Sequence, residues 1–361
     1  MSFDFLRKRA EECLTQGPYS VVHKTELAAS DDPHDYVSLS LYAWPSDDGV
    51  YKLHDGHINP ETHGDKFDRV RLREMIKAVK NLALAQQVFA DSRYGQRATE
   101  LVRVWFLDPE TLMHPHLAHA QVIPGRAPGS MGIIDTYEFW SMLDAVDILI
   151  REGFLTDAET NALQAWFAAL VTWLDQDPMG IEERNKTNNH GTSYDVQVIR
   201  YLMFIGDIPW ATRIMEQAIE GRLEQQILPD GTQPREARRT KSLHYHWYNL
   251  TKMCNMAELG TRLGIDFLHH KNLIRGAIEY LLPFVDHPED WPLEQIAPVT
   301  TINLLEPVFV GMKLFDLPSS RDIWERHFGH SREGRIFPLL PYRTLVGGEP
   351  ALPTISPTNS A

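Results

Sequence analysis

Apolar residues recur at intervals of three and four along most of the chain from residue 67 onward. This spacing places them on one face of an α-helix and predicts a succession of amphipathic helices. We predict at least nine, over residues 70–89, 98–106, 137–150, 158–174, 194–205, 210–227, 243–263, 273–285 and 302–315. Alternation of apolar and polar residues, which would predict strands, is scarce.

Short breaks separate the predicted helices. They contain Gly, Pro or Asp, as at Gly153, Gly264 and residues 177–178, 206–207 and 229–231. Such short connections make consecutive helices antiparallel neighbours. The pattern therefore predicts an all-α array of helical hairpins, and the lack of a fixed repeat period favours a closed toroid over a regular solenoid.

Two long segments interrupt the helical pattern. Residues 34–60 are rich in Tyr, Trp, Asp, Gly and Pro, and residues 114–135 contain several Gly and Pro. Long irregular segments inside a compact domain are usually lids or binding loops, although a plain surface excursion is the alternative. No linker marks a second domain, so we predict one domain over residues 1–346 and a loosely ordered tail over residues 347–361.

The charge of the chain limits its partners. The formal net charge is −14 and no cluster of Lys and Arg is visible, which argues against a nucleic-acid partner. A polyanionic ligand would need a locally basic cleft. No apolar run predicts a membrane span, and Cys13 and Cys254 are expected to be buried free thiols.

The N-terminus has no apolar core of the kind found in signal peptides. The chain as written is therefore expected in the cytoplasm, or in the periplasm or outside the cell if a leader has been removed. The sequence does not predict an oligomeric state.

Two polar stretches occur where predicted helices begin. The first is Asn188-Asn189-His190, and the second covers residues 236–246. Because Asn is a common N-cap and charged helix starts are common, each stretch alone has a purely structural explanation. Arg239 and Tyr245 in the second stretch are about 600° apart around an ideal helix. Their side chains can lie close together only if Arg239 is in the segment before the helix begins.

One reaction that requires these residue types is β-elimination next to a uronate carboxylate. Removal of the C5 proton places negative charge on that carboxylate, and the leaving O4 must then be protonated. Asn189, His190 and Arg239 offer donors that neutralise the carboxylate, and Tyr245 offers a base and an acid. A free Tyr has a pKa of about 10, so a base role requires neighbouring cations that lower it.

Together the two stretches resemble the alginate lyase superfamily of polysaccharide lyases. The residues that carry the resemblance are Asn-Asn-His-Gly-Thr-x-Tyr-Asp from Asn188 and Glu-x-x-Arg-Thr-x-Ser-Leu-x-Tyr-His from Glu236. They look most similar to polysaccharide lyase family 38, whose members act on alginate or β-1,4-glucuronan, and less similar to family 5 alginate lyases. Shorter matches at 35–45, 59–61 and 120–136 extend the similarity over most of residues 35–310.

The resemblance implies an incomplete α/α toroid that cleaves an anionic polysaccharide or oligosaccharide without a cofactor. It implies that Asn189 and His190 neutralise the carboxylate together with Arg239, and that Tyr245 is the acid and base. The adjacent Arg238 leaves open which guanidinium faces the site. The residues expected to bind the sugar are Tyr42, Trp44, Gln121, Asn188, Tyr194 and His246, with core packing as the alternative for Trp44.

Stereochemistry narrows the role of Tyr245. In β-mannuronate and β-glucuronate the C5 hydrogen and O4 lie on the same side, so Tyr245 alone could perform a syn elimination. Guluronate, the C5 epimer, would need a second group such as His190 on the opposite side. The spacing of His190, His244 and His246 matches no zinc pattern, and we expect no catalytic metal.

Two other interpretations stay open at the level of sequence. A glycoside hydrolase on the same fold would use paired carboxylates such as Glu183 and Glu236. A non-catalytic carbohydrate-binding protein would use Trp44 and Gln121, but it would give the four candidate catalytic residues no joint purpose.

Overall fold

The computed structural model describes residues 4–299 and 304–328, and helices dominate this part of the chain. The helices are α1 Asp4–Leu14, α2 Arg69–Phe89, α3 Ser92–Phe106, α4 Phe139–Arg151, α5 Asp157–Gln176, α6 Pro178–Arg184, α7 Asn189–Ile205, α8 Ile208–Ala218, α9 Ser242–Arg262, α10 Leu273–Leu281, α11 Pro283–Asp286, α12 Leu305–Lys313 and α13 Pro318–Phe328. A π-helical turn, Ile219–Glu224, continues α8. The predicted helices are present with shifted ends, while α1, α6 and α13 were not in the predicted set.

The helices form two layers. Helices α2, α4, α7, α9 and α12 pack side by side in that order, and α3, α5, α8, α10 and α13 each pack on a member of this row. Helices α7 and α9 are buried on almost all sides, as expected for the inner layer. This arrangement is an incomplete α/α toroid, which confirms the expected all-α fold.

One hydrophobic cluster runs through these layers, from Leu6 in α1 to Phe328 in α13. Burial of apolar surface, worth about 25 cal/mol per Å², is the main force that holds the layers together. Cys13 and Cys254 are buried free thiols, as predicted.

The two irregular segments contain short strands that the sequence pattern does not predict. Strand β1 Val37–Leu39 pairs in parallel with β4 His119–Val122, and β2 Ala43–Pro45 forms an antiparallel hairpin with β3 Tyr51–Leu53. Strands of three or four residues are too short for alternation to be recognised. The β1–β4 pair ties one irregular segment to the other.

Within the described ranges, the chain has no helix with the length and apolar character that a membrane crossing requires. Residues 347–361, the predicted tail, lie outside the described residues. The domain boundary at residue 346 therefore stays a prediction.

Candidate active site

Helix α7 begins at Asn189, earlier than the apolar pattern predicts, because its first turn is made of polar residues. Asn188 is the N-cap, and its side-chain oxygen accepts a hydrogen bond from the backbone N–H of His190 (3.2 Å). A Cβ atom on Gly191 would lie 2.0 Å from the carbonyl oxygen of Lys186, so the chain needs glycine here. Asn188 therefore shapes the helix start, and Asn189 and His190 occupy the first turn.

Residues further along the first polar stretch hold this helix start in place. The Tyr194 hydroxyl donates to the carbonyl oxygen of Leu174 (2.9 Å), and Asp195 pairs with Arg222 (2.7 Å). Arg222 also donates to the carbonyl oxygen of Lys186 (2.8 Å). Tyr194, which the sequence predicts to bind sugar, is buried and supports the helix start from the core.

In the second polar stretch, Arg239 lies before the start of helix α9, as its approach to Tyr245 requires. Arg239 has an extended backbone, and α9 begins at Ser242. The guanidinium carbon of Arg239 lies 3.6 Å from the centroid of the Tyr245 ring. Arg238 is exposed, so Arg239 is the guanidinium that faces Tyr245.

A buried carboxylate joins the two polar stretches. Glu236 accepts hydrogen bonds from the backbone N–H of Asn189 (2.8 Å) and from its side-chain amide (3.0 and 3.1 Å). Burial raises the pKa of Glu236, while the Asn189 hydrogen bonds and the charges of Arg239 and His190 oppose that shift. Because the Asn189 amide is directed at Glu236, its geometry fits a positioning role better than the expected direct neutralisation.

His190 is oriented by a second buried carboxylate. Its Nδ1 lies 2.5 Å from an Oε atom of Glu183, whose other oxygen has no hydrogen-bond partner among the described residues. When His190 is neutral and Nδ1 donates to Glu183, Nε2 carries the free lone pair. The imidazole is about one-fifth exposed, at 21%, so substrate can reach it. Sequence reasoning considered Glu183 only as a hydrolase acid.

Tyr245 lies beside a second tyrosine. Its hydroxyl is 2.6 Å from that of Tyr42, and only 7% of Tyr245 is exposed. Burial and the neighbouring Tyr42 raise the pKa of Tyr245, and the charge of Arg239 opposes the rise. The net direction is upward, contrary to the lowered pKa that a base requires, so Tyr245 is protonated before substrate binds.

Asp55 follows the β2–β3 hairpin and hydrogen-bonds to the second polar stretch, which connects the hairpin to that stretch. The carboxylate of Asp55 accepts hydrogen bonds from Arg239 (2.5 and 3.2 Å) and from the backbone N–H (3.2 Å) and hydroxyl (3.0 Å) of Thr240. Gly56 has a φ of +78°, and a Cβ there would lie 2.5 Å from the Thr240 hydroxyl. Trp44 in the hairpin is partly exposed and donates its indole N–H to the carbonyl oxygen of His57 (2.8 Å). Asp55 was missed because nothing in its local sequence marks it.

Gln121 belongs to a network around Asp135. Its backbone φ is +50°, a strained value for a residue other than glycine. The backbone N–H donates to the Ser38 hydroxyl (2.8 Å), and the side-chain amide donates to Asp135 (2.7 Å). Asp135 also accepts from Tyr36 (3.0 Å) and lies 3.2 Å from Arg69. Gln121 is therefore held beside Arg69, a cation that the sequence did not single out.

His246, which the sequence predicts to bind sugar, lies in the core. It is fully buried, its Nδ1 lies 2.8 Å from the carbonyl oxygen of Ser242, and its Nε2 accepts from the backbone N–H of Gln233 (3.3 Å). Its ring also packs edge-on against Trp291. Residues two positions apart in a helix point in different directions, so the side chains of His244 and His246 do not lie on the same face of α9.

Two titratable residues pack against Tyr248, one turn beyond Tyr245. The His244 ring stacks on Tyr248 with centroids 5.8 Å apart, and burial lowers the pKa of His244 to about 4. The Lys252 ammonium lies 3.2 Å from the centroid of the Tyr248 ring, and burial lowers its pKa to about 7. His244 is therefore neutral at neutral pH.

The alginate lyase family model matches residues 20–291, which include both polar stretches and the hairpin above them. The chain belongs to the alginate lyase family. It is a polysaccharide lyase. Membership of family 38 within this group stays a prediction.

Solved structures agree with this assignment. The lyase is similar to an alginate lyase from Bacteroides ovatus, with 34% identity, a TM-score of 0.86 and coverage of 93% of this chain and 92% of that one. It is also similar to alginate lyase A1-III from Sphingomonas species A1, with 14% identity, a TM-score of 0.55 and coverage of 87% and 88%. At that identity the likeness shows the fold alone. No curated protein matches the chain.

Glu183 provides a test of the His190 arrangement in this lyase. Glu183→Gln keeps the shape but removes the charge that orients the imidazole, so we expect kcat to fall by about 10²-fold. Initial rates on alginate measure the effect, with Glu182→Gln as the exposed neighbouring control. Unchanged kcat in Glu183→Gln would show that His190 needs no orientation by this carboxylate.

Proposed function

We propose that this lyase cleaves β-1,4-linked uronate polymers, either mannuronate-rich alginate or glucuronan, by syn β-elimination. The new non-reducing end is a 4,5-unsaturated uronate. The observation that carries the proposal is the contact set around Tyr245, in which the Tyr42 hydroxyl lies 2.6 Å from the Tyr245 hydroxyl and Arg239 lies against the ring. The Tyr245 hydroxyl can carry a proton, Arg239 is a cation next to it, and Tyr245 is buried.

The proposed steps divide between the two polar stretches. His190, in the form that carries a proton on Nε2, and Arg239 stabilise the charge that develops on the uronate carboxylate, and preorganised donors of this kind are worth ~3 kcal/mol each in other enzymes. Tyr245 first loses its hydroxyl proton to solvent. As phenolate it removes the C5 proton, and the same proton passes to O4 as the C4–O4 bond breaks. Asn189 donates hydrogen bonds to Glu236 and so holds the start of α7 next to the segment that leads into α9.

Two partly exposed arginines offer hydrogen-bond donors to an anionic ligand despite the net charge of −14. Arg69 and Arg239 have side chains that are 13% and 22% exposed, and each is held by a carboxylate, Asp135 and Asp55 respectively. A tetrasaccharide is bound in the structure of an A1-III variant, a relative with a TM-score of 0.59 and 14% identity. We extend this ligand class, an oligosaccharide, to the present chain as part of the proposal.

The two carboxylates considered for a hydrolase are buried and already hydrogen-bonded to other side chains. Glu183 and Glu236 are each 1% exposed and are bound to His190 and Asn189. A hydrolase needs one carboxyl group that protonates the glycosidic oxygen and another that reaches the sugar or a water. Neither residue has that access, which supports elimination.

A second candidate is anti elimination of guluronate. It is favoured by the Glu183 contact, which leaves Nε2 of His190 free to act as a base, and by the raised pKa of Tyr245, which suits an acid. The two candidates differ in which sugar is cleaved and in which group must lose a proton.

The pH dependence separates these two candidates. The base must be deprotonated, and the pKa of Tyr245 is raised, so syn elimination predicts that kcat/KM keeps rising with pH into the alkaline range. Histidine loses its proton at a lower pH than tyrosine, so anti elimination would instead give a plateau within the alkaline range. Initial rates measured from about pH 5 to about pH 10 decide between a continued rise and a plateau.

The experiment that tests the proposed function uses polymannuronate, glucuronan and polyguluronate. Ultraviolet absorbance follows the unsaturated ends, and mass spectrometry of a cleaved oligouronate gives the mass balance. Elimination predicts products whose masses sum to that of the substrate. Products that together contain one additional water would overturn it in favour of hydrolysis.

A further inference from the structure

A cluster of imidazoles surrounds Asp35, on the segments that carry the β1–β4 pair. We call Asp35, His114, His116 and His119 the histidine cluster. Nδ1 of His114 and Nε2 of His116 each lie 2.9 Å from the same oxygen of Asp35, and Nε2 of His119 lies 3.6 Å from the other oxygen. The elimination proposed above does not use any of these residues.

The first three members have the geometry of a metal site. Asp35, His114 and His116 each offer one ligand atom, and these atoms lie within 4.8 Å of one another. Ligand atoms around one tetrahedral zinc ion are about 3.3 Å apart, so only small movements would bring all three onto an ion. Imidazole and carboxylate are common zinc ligands, and three protein ligands leave a position for water.

The surroundings hold these ligands in place. Asp35 is buried, and its second oxygen accepts a hydrogen bond from the Ser30 hydroxyl (2.6 Å). The backbone N–H of His114 donates to the carbonyl oxygen of His34 (3.0 Å), and Trp166 donates to the carbonyl oxygen next to it, that of Met113 (2.7 Å). Fixed ligands of this kind favour metal binding because little ordering remains to be done.

His119 adds an independent observation. Its Nδ1 is buried and has no hydrogen-bond partner among the described residues, although buried polar atoms are usually paired. Its Nε2 faces Asp35, and its side chain is 15% exposed. Nε2 therefore lies within reach of an ion held at Asp35, or of a water on that ion, while Nδ1 lacks the acceptor that a metal-bound histidine usually has, so His119 is an optional ligand.

We propose that the histidine cluster binds one Zn²⁺ ion through Asp35, His114 and His116, with His119 or a water as the fourth ligand. The ion would join the start of β1 to the start of β4. Ser38 in β1 and Gln121 in β4 both bond to Asp135, so the ion would stabilise the strand pair beside the candidate active site. The role is structural, and it does not depend on the proposed reaction.

The test measures zinc binding and thermal unfolding of the tag-free full chain after chelator treatment. Titration with Zn²⁺ alone should give one ion per chain by calorimetry and by elemental analysis, and saturation should raise Tm by at least ~3 °C. His116→Ala should reduce the affinity at least about tenfold, in line with loss of a ligand. His269→Ala, at an exposed His–Asp pair with Asp266, should bind zinc like the wild type.

Either of two binding results would overturn the proposal. One is a wild-type chain that binds less than half an equivalent of Zn²⁺ and shows no change in Tm. The other is unchanged affinity in both His116→Ala and His114→Ala. If these variants do not fold, the Co²⁺ form of the wild-type chain replaces them, and it should show the visible absorption bands of a four-coordinate site. Bands typical of six-coordinate Co²⁺ in water would contradict the site.

Discussion

Replacement of Tyr245 by phenylalanine is expected to lower kcat by about 10³-fold or more while the protein still folds and still binds oligouronate. The hydroxyl is the only atom group removed, and syn elimination assigns both proton transfers to it. The phenyl ring keeps its contact with Arg239. Initial rates on polymannuronate, together with a binding titration of the variant, measure the two parts of this expectation.

Tyr280→Phe is the matched control for loss of a hydroxyl. Tyr280 packs against Trp291 and Phe284, and its variant should retain wild-type kcat. The role of Tyr245 would be rejected if Tyr245→Phe kept more than a tenth of the wild-type kcat. A fall in substrate affinity at constant kcat would instead make Tyr245 a binding residue.

Arg239→Ala is expected to lower kcat by about 10²- to 10³-fold, because a preorganised charge next to the developing enolate is lost. The charge of Arg239 also lowers the pKa of Tyr245 against the effect of burial. Its removal raises that pKa further, so the rising limb of the kcat/KM profile should move to higher pH. A merely structural role would not move this limb.

The neighbouring Arg238 offers the control for this prediction. Arg238 is exposed, and Arg238→Ala should change neither kcat nor the pH profile. Arg239 also anchors Asp55, so the Asp55→Asn variant reports the loss of the hairpin contact. The Asp55 charge raises the pKa of Tyr245, so its removal should move the rising limb to lower pH, opposite to the effect of Arg239→Ala. Equal losses in Asp55→Asn and Arg239→Ala, with no shift of the rising limb, would show that Arg239 serves only to hold the hairpin.

The sequence predicted the parts of the site that depend on local pattern. The polar start of α7 and the approach to α9 are visible because uncommon polar residues stand next to apolar helices. The requirement that Arg239 lie outside the helix follows from helical geometry, and the structure satisfies it. The all-α toroid follows from the same periodic pattern and from the family resemblance.

The parts that escaped prediction depend on contacts between distant positions. Tyr42 and Tyr245 are 203 residues apart in sequence, and Asp55 and Arg239 are 184 apart, so no local pattern relates them. Tyr194 and His246 were expected at the sugar because they stand inside the two stretches. Successive residues of a helix face in different directions, and these two face the core.

The same reason explains why the role of Glu183 was not recognised. A glutamate seven residues before His190 in sequence has no fixed relation to it, since a helix end and a loop lie between them. Only the folded chain shows that the carboxylate is buried and directed at Nδ1. Its position makes the imidazole a group of defined orientation, which both candidate reactions need.

The most direct test of syn elimination by Tyr245 is the ratio of kcat/KM on polymannuronate to kcat/KM on polyguluronate, measured at one pH with matched chain lengths. In mannuronate one tyrosine can reach both the C5 hydrogen and O4, whereas in guluronate it cannot. Syn elimination predicts a ratio of at least about ten. A ratio of one or less would contradict it and would make His190 the base.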